Sequence, residues 1–169
     1  EKLNILMIEP STRCRNALSL LKEYKILEGR FIYLAKGIGN PKDERIAFYE
    51  RPFMSSSTNP NEGIENPKTV PVLKIKDIAQ NLKPPYDLIK CDIEGSEWDF
   101  LEHYKPIIRE SKTIIMEWHS WHAGGGGFAQ IESKIKELGF SIDKVTDASK
   151  AELLNGEVGL LRASNNNFK

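Results

Sequence analysis

Two cysteines, Cys14 and Cys91, are all that 169 residues contain, too few for the disulfide framework of a small secreted fold. Cys14 falls on an expected helix face and Cys91 inside an expected strand, so both read as buried thiols in a reducing compartment, the cytoplasm. Net charge is also missing: 24 basic residues balance 24 acidic ones. The basic residues are scattered, which excludes the electrostatic footprint of a dedicated nucleic-acid binder. No apolar run approaches the roughly 20 residues that a membrane-spanning helix needs. Zinc-ligand spacing, a P-loop, a nucleophile elbow and internal repeats are absent, which makes a serine hydrolase a poor fit. What is there is 40% apolar residues, enough for one soluble domain over residues 1–164, followed by a polar tail, 165–169.

The informative stretch is Tyr86 to Glu97, YDLIKCDIEGSE. Tyr86, Leu88, Ile89, Cys91 and Ile93 form a short apolar run typical of a strand buried on both faces of a parallel sheet. Asp92, Glu94 and Glu97 then crowd around Gly95, and Ser96 is placed to cap a helix opening with Glu97, Trp98 and Asp99. Carboxylates at the carboxyl end of a strand stand where ligands bind in open α/β sheets. A structural reading competes: Glu97 and Asp99 complement the helix dipole and Asp92 merely ends a strand.

The rest of the chain repeats this pattern. Asn4 to Ile8 is an apolar run closed by Glu9 and Pro10, with Ser11 and Thr12 ready to cap a helix whose Cys14, Ala17, Leu18, Leu21 and Tyr24 recur at helical spacing. Gly29 stands beyond its end. Phe31 to Ala35 completes a βαβ unit. Glu9 ends its strand as an acid that can accept two ribose hydroxyls at once. Lys36-Gly37-Ile38-Gly39 precedes a strand, Arg45 to Glu50, and so is not a phosphate fingerprint. A long loop with Ser55-Ser56-Ser57-Thr58 leads to an expected strand at 70–75 and a short helix at 77–82. Pro106 reads as a helix stop. Thr113 to Met116 is a further buried strand, ending in Glu117-Trp118-His119, where period two puts Glu117 and His119 on one face. His122 follows, then four glycines and an amphipathic helix carrying Phe128, Ile131, Ile135 and Leu138. Two last strands, 140–145 and 157–162, close the fold.

The string K-C-D-I-E-G-S-E before W-D-F-L resembles the signature of FkbM-type methyltransferases, and I-E-P and E-W-H resemble further segments of that family. The resemblance implies a Rossmann-like α/β fold of the class I methyltransferases, mostly parallel with an antiparallel terminal strand, in the order 3-2-1-4-5-7-6. It implies S-adenosylmethionine as cofactor and a hydroxyl of a sugar, polyketide or other small molecule as acceptor, with no nucleic-acid or membrane partner. Glu9, Pro10, Gly37 and Asp92 would line the cofactor; Asp92, Glu94, Glu117 and His119 would serve the reacting groups, a divalent metal being a further option. The family's first strand and glycine-rich turn do not precede Glu9, so the chain reads as N-terminally truncated, with that strand expected upstream of Glu1. Two other functions fit the residues: a metal-dependent hydrolase using Asp92, Glu94, Glu117, His119 and His122, and a non-catalytic interaction module.

Overall fold

A computed structural model describes residues 3–23, 29–50, 56, 58, 66–120, 127–147 and 158–168. The chain divides into two compact units, Glu1–Lys83 and Pro84–Lys169.

In the first unit, β1 (Leu3–Ile8) and β2 (Gly29–Leu34) pair in parallel, joined through α1 (Thr12–Glu23). The parallel pairing follows from the crossover, since two strands joined by a helix return in the same direction. Gly29 opens β2 rather than ending α1: its φ is +138°, and a Cβ there would lie 1.8 Å from the Leu3 carbonyl oxygen. Of the positions expected on the apolar face of α1, the side chains of Leu21 and Tyr24 lie outside the described residues. From Thr12 to Leu20 only Leu18 is buried, and Cys14 is exposed rather than buried. A two-stranded ribbon offers a helix little surface to cover, so few positions between Thr12 and Leu20 are withdrawn from water. A separate antiparallel ribbon joins β3 (Arg45–Phe48) and β4 (Lys68–Pro71). The strand expected at 70–75 stops early because α2 (Ile75–Asn81) begins there, with Asp77 accepting the Lys74 N–H at 2.8 Å as its cap. Val72, Leu73, Phe48 and Ile78 form the apolar centre of this unit.

The second unit holds a four-stranded sheet in the order β5-β6-β8-β7, from β5 (Tyr86–Cys91), β6 (Ser111–His119), β7 (Phe140–Asp147) and β8 (Val158–Asn165). β5 and β6 are parallel, whereas β8 runs antiparallel to both β6 and β7. Among the described residues the pairings are therefore mixed, not mostly parallel as expected. Among the described residues β5 pairs with β6 alone, and Leu88 is 53% exposed where burial on both faces was expected. Pro106 starts a helix instead of only stopping one: α3 (Glu97–His103) gives way to α4 (Lys105–Arg109), with proline in the first turn, where its missing N–H costs nothing. α5 (Gly127–Glu137) buries Ile131 and Ile135 completely, as its periodicity predicts. Asn165, assigned to a polar tail by sequence, is the last residue of β8. It is buried, and its amide donates to the carbonyls of Arg109 and Ser111 at 2.9 Å; a 3-10 turn at Asn166–Phe168 follows.

Candidate active site

β5 ends at Cys91, and the chain turns through Asp92, Ile93, Glu94 and Gly95 into α3. Glu94 and Gly95 are both left-handed, with φ of 52° and 92°. Glycine takes this conformation freely; for glutamate it costs on the order of 1 kcal/mol and marks a turn held by its surroundings. What holds it is Glu97, whose side chain folds back under the turn: one oxygen, Oε1, accepts the N–H of Ile93 at 3.3 Å and of Gly95 at 3.1 Å. Glu97 is fully buried.

The same Oε1 lies 3.0 Å from His119 Nδ1, at the end of β6. Parallel pairing of β5 with β6 brings the two strand ends together, Cys91 opposite Met116. Period two then puts Glu117 and His119 on one face, with Trp118 on the other, against Phe128 of α5. On its far side, His119 Nε2 faces Glu94 Oε2 at 3.7 Å and Glu117 Oε1 at 3.9 Å. The imidazole is buried, while the side chains of Glu94 and Glu117 are 28% and 40% exposed. A buried histidine thus lies between one buried carboxylate and two that reach solvent.

The electrostatics follow from that geometry. Burial raises the Glu94 carboxyl above its ordinary range, and the negative charges of Asp92, Glu117 and Glu97 add to this against the opposing pull of His119. For His119, burial works downward, but the hydrogen bond to Glu97 and the charges of Glu97, Glu94 and Glu117 outweigh it, so its pKa is raised. Burial, with Glu97 and Asp92 nearby, keeps the Cys91 thiol protonated.

Of the residues singled out by sequence, Glu94, Glu117 and His119 come together. Asp92 does not join their contacts: it is exposed and pairs with Lys90 Nζ at 2.9 Å. His122 lies outside the described residues. Glu97, counted from sequence among the acids around Gly95 or as a partner of the helix dipole, is the hub of the cluster. Its signal was the acid placed three residues after Glu94 across Gly95, a spacing that a tight turn can fold inward. No group of three or more His, Cys, Asp or Glu among the described residues is arranged to hold a metal ion; the Nδ1 side of His119 is taken by Glu97 and Asp92 is turned to Lys90. The described residues alone therefore do not fit the metal considered above.

In the first unit, Glu9 closes β1. Its Oε1 accepts the Ser11 N–H at 2.7 Å, its backbone carbonyl accepts the Tyr33 hydroxyl at 2.8 Å, and its Oε2 has no hydrogen-bond partner among the described residues. Pro10 is half-buried beside it. Gly37 is buried, and its backbone is spent on the end of β4 and the residues after it: its N–H donates to the Pro71 carbonyl and its own carbonyl accepts the Leu73 N–H. Sequence reading missed Glu50. Its Oε1 accepts from Ser11 Oγ and from the Thr12 and Arg13 N–H groups at 2.8, 2.7 and 3.2 Å, and its other oxygen pairs with Lys68. Ser11 caps α1 as expected, its Oγ accepting the Arg13 N–H at 3.2 Å, and an acid 38 residues away in sequence reinforces that cap. Among the described residues no helix is long and apolar enough to cross a membrane.

A family model described as the methyltransferase FkbM domain matches residues 4–142. The chain belongs to the FkbM methyltransferase family. No curated protein and no solved structure matches it. The part of the chain matched as FkbM domain contains Glu9, the turn around Gly95 and the strand end bearing Glu117 and His119, and it stops within β7.

Proposed function

We propose that this FkbM domain transfers a methyl group from S-adenosylmethionine to a hydroxyl oxygen of a small molecule such as a sugar or polyketide. The observation that carries the reading is the family match over both acidic strand ends. The strand orders support it: β2 beside β1, and β5-β6-β8-β7 with β8 antiparallel, are what the class I order gives for its 3-2 and 4-5-7-6 portions. Glu9 fits a ribose, since Oε2 is available beside an oxygen already tied to the backbone. When bound, S-adenosylmethionine supplies an electrophilic methyl on a sulfonium, whose carbon–sulfur bond breaks as the carbon–oxygen bond forms. Glu94 takes the hydroxyl proton: it is part-exposed, and its raised pKa makes it a stronger base than an ordinary carboxylate. Glu117 accepts a second hydroxyl hydrogen bond, and Asp92 orients the bound groups from the turn's outer side.

Calorimetry with S-adenosylmethionine tests the cofactor. Glu9→Ala should weaken binding by about ten- to a hundredfold, the worth of two hydrogen bonds to a charged group. No heat of binding to the full-length protein would remove the cofactor from this reading.

A further inference from the structure

His119 is buried and Glu97 is buried more deeply, so neither can be a simple surface pair. A carboxylate taken wholly out of water is costly, and replacing such an ion pair with apolar side chains is often neutral or stabilising. Glu97 also places three donors on Oε1 and leaves Oε2 without a partner. Stability alone is poorly served by that arrangement. What it does accomplish is orientation. A carboxylate can only accept, so the proton on the facing nitrogen, Nδ1, is held there, and Nε2 is left pointing at Glu94 and Glu117.

We propose that Glu97 is a positioning residue that acts through His119, fixing the proton on Nδ1 and presenting Nε2 to the two solvent-reaching carboxylates. While His119 is cationic, its Nε2–H favours ionised Glu94 and Glu117. Once His119 is neutral, Nε2 has only a lone pair to offer, and the two carboxylates lose that support. Glu97 thereby couples the charge of the buried pair to the groups that meet a ligand. Among the described residues, the titratable groups around the imidazole are Glu97 from α3, Glu94 from the turn and Glu117 from β6, with Asp92 and Cys91 next to them. The role in catalysis rests on the methyl-transfer reading; the proton's position does not.

Nitrogen-15 correlation spectra of histidine-labelled protein test it, with His119 assigned by the signal lost in His119→Gln. The neutral form reached at high pH should carry its proton on Nδ1. In Glu97→Gln the amide oxygen still accepts that proton while the charge is gone, so the His119 titration should move to lower pH with the tautomer kept. The pH profile of methyl transfer should move with it. A neutral wild-type His119 protonated on Nε2 would overturn the proposal whether or not the variant folds, and so would an unmoved titration in a folded Glu97→Gln. Absence of methyl transfer with both spectroscopic results intact would instead count against the function proposed above and leave the positioning role standing.

Discussion

Glu94 and Glu97 stand three residues apart on one turn, yet opposite forces act on them. Glu97 receives two backbone N–H groups and an imidazole; Glu94 sits in a left-handed conformation, part-open to water and surrounded mostly by like charges. The first is built to stay put and the second to change its protonation. Glu94→Gln should therefore lower turnover by about two to four orders of magnitude with little change in melting temperature, because the amide keeps the shape but cannot take a proton. In the wild type, turnover should fall with acid at a higher pH than an ordinary carboxylate would give, since the raised pKa means Glu94 protonates earlier as pH drops. His119→Ala belongs to the other class. It strands a buried carboxylate and should cost about 3–5 kcal/mol in urea unfolding. The folded pKa of His119 is raised from 6.5, so the stabilisation from its charge is fully present below that value and is lost as pH rises through the folded pKa; the gap between wild type and His119→Ala should narrow accordingly.

At the scale of elements, α1 shows how a helix end can depend on a distant strand. Its first turn is tied to Glu50, which follows β3, and Glu50 is in turn held by Lys68 of β4. Burial opposes ionisation of Glu50, but the hydrogen bonds from Lys68, Ser11, Thr12 and Arg13 prevail and hold its pKa down at about 2. A depressed pKa stabilises the fold above the unfolded value and loses that contribution as pH falls through the folded one. Glu50→Gln should cost roughly 1–2 kcal/mol at neutral pH, the worth of a helix cap. Chemical denaturation at a series of pH values should show the difference shrinking from about 4.5 toward about 2.

For the molecule as a whole, the two units differ in how much sheet each one has. Pro84–Lys169 carries four strands over a core that includes Leu101, Tyr104, Ile108, Met116 and Ile135. Glu1–Lys83 carries two-stranded pairs, and a two-stranded sheet is marginal in water by itself. Native-state hydrogen exchange should then find the slowest amides in β6 and β8, and distinctly faster exchange across β1 and β2. Equal protection of both would mean that the ribbon of the first unit is held by more than its own pairing.

The amino-acid sequence by itself determined most elements, through the apolar runs Asn4 to Ile8 and Thr113 to Met116, which fall within β1 and β6, and the helical spacing of Ile131 and Ile135, because periodicity is a local property. It also put Glu117 and His119 on one face and gathered the acids around Gly95. Tertiary structure decided which acid is buried and which is open, since Glu94 and Glu97 are chemically alike and only the pairing of β5 with β6 brings an imidazole to one of them. It sent Asp92 outward to Lys90, exposed Leu88, and added Glu50 to the Ser11 cap of α1. Each of these depends on groups far apart in the chain, whose meeting is set by strand order and register rather than by any spacing along the sequence.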